Sequence, residues 1–175
     1  CLDRVLSAYE KALAENPRED HRHGIVHCQI TRADQLEKIA KMHLHVYAQS
    51  IFLDYDNHIV EERVGKELAS TSYSWKTLMN NGVSVSNGTD TRTTLRDHVG
   101  PYLPDQKFTV QEALDSYTIR SAEASFEENV KGQIAEGMMA DFVVLGQNPF
   151  EMDESTIKDI PVCRTYLAGE LVYEA

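Results

Sequence analysis

The sequence predicts an α/β fold whose strands run parallel and are joined by helices, followed by a short β-rich tail. Three observations lead there. Two strand-like runs, Gly24-Ile25-Val26-His27-Cys28 and Gly82 to Asp90, each carry a polar group to their far end. Between them, apolar residues recur at helical spacing, and an alternating order of strand and helix implies parallel strands joined by right-handed crossovers. From Gln133 onward the apolar runs shorten and are punctuated by Gly137, Gly146, Asn148-Pro149 and Ala168-Gly169, as short antiparallel strands require.

Taken in order, Leu2, Val5, Leu6, Tyr9 and Leu13 form one stripe, so the chain opens inside an amphipathic helix, as a truncated start would. After the Gly24 to Cys28 strand, Thr31-Arg32-Ala33-Asp34 is a capping signal ahead of Leu36, Ile39 and Ala40, and predicts a helix over 32–42. Val46 to Leu53 reads as the next strand, and Asp54 to Ser72 as a long loop with one short helix. Tyr73 to Asn80 is helical until Asn80-Asn81-Gly82 stops it. Thr109-Val110-Gln111-Glu112 is a capping box that opens a helix over 109–124. Strands are expected at Gln133-Ile134, Ala140 to Leu145, Cys163 to Leu167 and Leu171 to Tyr173, with a short helical stretch at Ser155 to Asp159.

A net charge of -11 argues against nucleic acid, whose phosphates need clustered Lys and Arg. No run approaches the roughly 18 apolar residues of a membrane helix, and no signal peptide is visible, which leaves a cytoplasmic location as the expectation. Cys1, Cys28 and Cys163 are three and widely spaced, fitting reduced thiols better than a disulfide framework or a metal knuckle.

The candidate site residues are His27 and Asp90, because parallel α/β folds place their chemistry at the C-terminal ends of strands. A neutral imidazole and a carboxylate are both suitable zinc ligands. His43-Leu44-His45 imitates an H-x-H ligand pair but precedes its strand, where residues serve stability; His21 and His23 are taken as surface or supporting groups. Asp54, Asp56 and Arg63 lie in the loop after the second strand and could touch a substrate. Tyr73 and Trp75 are assigned to the core.

The stretch Gly132 to Leu145, continued by Thr165-Tyr166-Leu167-Ala168-Gly169-Glu170-Leu171-Val172-Tyr173, resembles the C-terminal end of the amidohydrolase superfamily. Arg22-His23-Gly24-Ile25-Val26-His27-Cys28-Gln29 with Gly88-Thr89-Asp90 narrows the resemblance to the amidohydrolase-3 group, similar to N-substituted formamide deformylases. It implies strands 6 to 8 of a (β/α)8 barrel over residues 1–128 and the return segment of a composite β-sandwich over 129–175. It also implies that His27 is the metal-binding histidine at the end of barrel strand 6, and Asp90 the metal-binding, proton-carrying aspartate at the end of strand 8. The activity it implies is metal-dependent hydrolysis, zinc being the usual ion, of a non-peptide carbon-nitrogen bond in a small amide or formamide.

Two departures from that pattern matter. The H-x-H pair of strand 1, the bridging residue of strand 4 and the histidine of strand 5 have no counterpart, so the chain alone is expected to be inactive and to associate with its missing half or with a second copy. Relatives also carry a proline-containing stretch and a helix between the aspartate and a Thr-Arg pair, whereas Thr91-Arg92 follows Asp90 directly, so a deletion or a chain break is expected there. A non-catalytic fragment, or a binding or regulatory module that keeps the fold, is the rival; bound metal would separate the two.

Overall fold

The computed structural model describes residues 1–88 and 103–175, which fall into two compact units, Cys1–Lys107 and Phe108–Ala175.

In the first unit, β1 (Gly24–Val26), β2 (His45–Ala48) and β3 (Val85–Asn87) form a parallel sheet in the order β1-β2-β3. Gly24 pairs with His45 and Val26 with Tyr47, while Val46 pairs with Val85 and Ala48 with Asn87. Side chains alternate across such a sheet. One face is therefore Ile25, Val46, Ala48 and Val85, all buried along with Ile39, Leu44 and Leu78 of the connecting segments. Gly24, Val26, His45, Tyr47 and Ser86 make the other, and its buried polar pair is bonded across the strands, with His45 Nε2 2.9 Å from Ser86 Oγ.

The helices follow the apolar periodicity, with shifts that have local causes. α1 (Leu2–Glu15) buries Leu6, and α2 (Ala33–Lys41) buries Gln35 and Ile39. Thr31 does not cap α2; instead the Arg32 N–H donates to Gln35 Oε1 at 2.9 Å. The two helices are tied by a bidentate contact of Arg32 with Asp3, at 2.7 and 3.1 Å. The Arg32 guanidinium, helped by Gln35, holds the Asp3 carboxyl down at about 2. Because that folded value lies below the ordinary carboxylate one, the contact is fully present near neutrality and is lost as pH falls toward 2.

The expected strand from Val46 to Leu53 is a correction: β2 ends at Ala48 and a helix, α3 (Ile51–Asp56), follows. Its cause is tertiary, since Asn87 Oδ1 accepts from the Ser50 N–H at 3.1 Å and turns the chain. The supposed loop holds two further short helices, α4 (Val60–Val64) and α5 (Lys66–Ala69), before α6 (Trp75–Asn80). Tyr73 and Trp75 are buried and meet edge to face at 5.5 Å, as core aromatics do.

In the second unit, the Thr109 capping box opens α7 (Val110–Tyr117): Thr109 Oγ1 accepts from the Glu112 N–H, and Glu112 Oε2 accepts from the Thr109 N–H. The expected single helix breaks at Thr118, whose φ of -116° and ψ of -96° are not helical, and resumes as α8 (Ile119–Ala124). Ser116 and Thr118 both turn their hydroxyls back onto helix carbonyls, at Ala113 and Leu114, a habit that competes with helix continuation. β4 (Phe142–Leu145), β5 (Val162–Leu167) and β6 (Glu170–Glu174) form an antiparallel sheet in that order. Ala168 and Gly169, with φ of 50° and 82°, turn β5 into β6 as a two-residue hairpin with both residues left-handed. Gln133-Ile134 forms no strand. Leu167 and Val172 are each 57% exposed, with Leu171 and Tyr173 beside them, so this sheet presents a broad apolar surface.

Gly24 is required by close approach. A Cβ there would stand 2.5 Å from the Tyr47 ring and 2.6 Å from the His45 carbonyl oxygen, and the second is backbone within the ladder. Gly24→Ala is therefore expected to destabilise the chain by about 1–3 kcal/mol in urea denaturation. An unchanged midpoint would contradict the close approach.

Candidate functional site

His27 stands one residue past β1, at the C-terminal end of the parallel sheet. Its N–H donates to the Tyr47 carbonyl at 2.9 Å, so the ladder with β2 continues through it. The next N–H, that of Cys28, folds back onto the Val26 carbonyl at 2.9 Å, and His27 has a φ of 66°. An i to i+2 bond around a left-handed residue is a γ-turn of the rare, strained kind. A histidine held there is costly, and strain of this type concentrates at functional sites.

A second segment holds the turn in place. The Trp75 indole N–H donates to the His27 carbonyl at 3.0 Å, and the Tyr73 N–H to the Gln29 carbonyl at 2.6 Å. Thr31 and Thr71 each donate a hydroxyl to the other's carbonyl at 2.5 Å. Residues 27, 29 and 31 are thus matched in reverse by 75, 73 and 71, a ribbon that runs from β1 to the start of α6.

With the backbone of His27 so occupied, its imidazole is what remains available. The ring leans on Phe52 of α3, centroids 5.7 Å apart, and Nδ1 is shielded from solvent with no hydrogen-bond partner. A buried polar atom without a partner calls for an explanation, and a ring nitrogen is the donor type a divalent ion takes. One imidazole does not complete such a site. Among the described residues, no group of three or more His, Cys, Asp or Glu could hold a metal ion.

Cys28, beside His27, is buried. Burial pushes its thiol up to about 12, so near neutrality it is a protonated thiol. All three cysteines are free.

Asp90 lies outside the described residues, as does the Asp90–Thr91 junction. The described part of its strand does fix one relation: the Gly88 N–H donates to the Ala48 carbonyl at 3.0 Å, so β3 ends at the same side of the sheet as His27. Both side-chain polar atoms of Asn87 are engaged there, its Nδ2 donating to Ser50 Oγ and its Oδ1 accepting from the Ser50 and Gly88 N–H groups.

The other histidines that the sequence singled out, all among the described residues, lie elsewhere. His43 is exposed, with a φ of 50°, and is not in a strand, while His45 opens β2 at the end opposite His27, so the two do not form a ligand pair. His21 binds the Met42 carbonyl at 2.9 Å, and His23 stacks between Tyr9 and His21. Asp56 accepts from the Tyr73 hydroxyl at 2.7 Å, and Arg63 is exposed. Sequence reasoning missed Gln49, the residue just past β2, whose Oε1 is also shielded and without a partner.

The model of the amidohydrolase family matches residues 2–173. A putative amidohydrolase, YtcJ of Bacillus subtilis, is 31% identical over 190 residues, covering 99% of this chain and 35% of that protein. LONG AFTER FAR-RED 3 of Arabidopsis thaliana is 28% identical, covering 98% of this chain and 32% of its own length. N-substituted formamide deformylase of Arthrobacter pascens is 38% identical over 74 residues, covering 42% and 14%. An uncharacterized metal-dependent hydrolase of Pyrococcus furiosus superposes with a TM-score of 0.68 at 26% identity, over 86% of this chain and 32% of that one. The chain thus spans about a third of the length of the first two curated relatives. Those two alignments run longer than its 175 residues, so each relative holds residues with no counterpart here.

If the backbone at 27 is strained for the sake of its ring, glycine should fit the turn better than alanine. His27→Gly is expected to be more stable than His27→Ala by about 1 kcal/mol, since only glycine takes positive φ without steric cost. Paired urea denaturation curves measure this, and an equal or reversed order would remove the strained turn.

Proposed function

The chain belongs to the amidohydrolase family, and from that premise we propose that it forms one side of a divalent-metal site that hydrolyses a non-peptide carbon-nitrogen bond in a small amide or formamide. In this reading β1, β2 and β3 are strands 6 to 8 of a (β/α)8 barrel, and β4 to β6 are part of its β-sandwich. The observation that carries it is the His27 imidazole, presented at the C-terminal end of a parallel strand by a strained turn and left with an unpartnered ring nitrogen.

His27 would hold the ion, with Asp90 as a further ligand. Zinc sites take at least three protein ligands, so the others come from residues outside this chain, and the chain alone is inactive. When bound, zinc supplies Lewis acidity that brings the pKa of a water from 15.7 to about 7. Asp90 takes the proton of the attacking water and passes it to the departing nitrogen. The His27 ring leans on Phe52 and its Nδ1 is shielded from solvent, and a charge is held more strongly where the dielectric is low. The apolar surface of the β4–β6 sheet is covered by the polypeptide that relatives carry beyond this third, which makes the partner the remainder of the enzyme.

The test is metal content and hydrolysis of N-acyl and N-formyl compounds by the purified protein together with the segments that its relatives carry. Chelation is expected to abolish turnover. His27→Ala and Asp90→Asn should each cost more than the roughly 10–100-fold that loss of an outer-shell partner costs. Turnover that survives both the chelator and His27→Ala would refute the proposal.

A further inference from the structure

Three residues stand one position beyond the three parallel strands: His27 after β1, Gln49 after β2 and Gly88 after β3. The ladder bonds from the His27 N–H to Tyr47 and from the Gly88 N–H to Ala48 bring all three to the same end of the sheet. Because β2 is the central strand, Gln49 stands between the strand that carries His27 and the strand that leads to Asp90.

Gln49 Oε1 and His27 Nδ1 are the two buried side-chain polar atoms without a partner among the described residues, and both lie at this end. Their neighbour Asn87 has both side-chain polar atoms bonded, to Ser50 and Gly88, so the lack of a partner is not general to the region. The two are also linked through α3: the Phe52 N–H donates to the Gln49 carbonyl at 3.0 Å, and the Phe52 ring meets the His27 ring. Burying a carboxamide oxygen with no donor carries a desolvation cost that an aliphatic side chain of the same size would avoid. What the oxygen needs is a hydrogen-bond donor, since a carbonyl oxygen can only accept.

We propose that Gln49 is a substrate-binding residue whose Oε1 accepts a hydrogen bond from the N–H of an amide-type substrate, with the scissile group toward His27. This deepens the hydrolase reading and rests on it. A substrate with an N–H satisfies the buried oxygen. An ester, or an amide carrying two carbon substituents on nitrogen, leaves it unpaired, and buried polar groups left unpaired are a strong source of discrimination.

The experiment compares N-methylformamide with N,N-dimethylformamide, which lacks the N–H, as ligands of the purified protein together with the segments that its relatives carry, in the presence of Zn²⁺. Affinities are read by NMR titration for the wild type, Gln49→Met, Gln49→Leu and Gln49→Glu. The wild type is expected to bind the N–H compound about tenfold tighter, in keeping with one hydrogen bond. Gln49→Met and Gln49→Leu should lose this preference, and Gln49→Glu, which keeps an acceptor, should retain it. A preference that survives in a folded Gln49→Met or Gln49→Leu protein, or a wild type that shows none or binds neither compound, overturns the proposal. Zn²⁺ titration of His27→Ala separates the failures: if Zn²⁺ binding depends on His27 while the N–H preference is missing, only the role of Gln49 falls. If Zn²⁺ binding is indifferent to His27, the hydrolase reading falls as well.

Discussion

A histidine in a left-handed turn needs something to hold it there, and the ribbon from 71–75 to 27–31 does so. Both backbone groups of His27 are engaged, its N–H by Tyr47 and its carbonyl by the Trp75 indole. Thr31 and Thr71 lock the far end with reciprocal bonds. The ribbon holds three residues at positive φ, His27, Cys28 and Tyr73, and their cost of about 1–3 kcal/mol each is opposed by several bonds each worth about 1 kcal/mol. The consequence is functional: both main-chain groups of His27 are held, and the imidazole is placed at the end of β1. Preorganisation of this kind lets a ligand bind without reordering the site.

The same constraint explains why α6 begins where it does. Trp75 is both its first residue and the donor to His27, and Tyr73, at a φ of 53°, packs against it while its own N–H reaches Gln29. A pair of aromatics that serves the core thus also supports the site. Sheet, helix and candidate ligand are therefore coupled, and damage to the aromatic pair would reach His27 through a single indole bond.

Much of this could be read from residues alone, and the parts that could not share a cause. The position of His27 at a strand end, the α2 helix, the Thr109 capping box and the Ala168-Gly169 turn are local in origin, so local pattern revealed them. The end of β2 was misplaced because a side chain 37 residues away, Asn87, turns the chain at Ser50. The single helix over 109–124 was misjudged because serine and threonine hydroxyls compete for helix carbonyls, a preference that apolar spacing does not carry. Gln49 carries no motif at all; only its unpaired oxygen in the folded chain marks it. Asp90 is a candidate by type and by resemblance alone, and the described strand ends at Gly88, short of it.

The central claim is that the His27 ring nitrogen is kept free of protein partners in order to bind a metal. The most direct measurement is anomalous diffraction from crystals of the cobalt-loaded protein together with the segments that its relatives carry, collected on both sides of the cobalt edge. A metal peak about 2.0–2.1 Å from a His27 ring nitrogen, at the C-terminal ends of β1 to β3, is the predicted result. A His27 ring hydrogen-bonded within the protein, with cobalt absent or bound elsewhere, would contradict it.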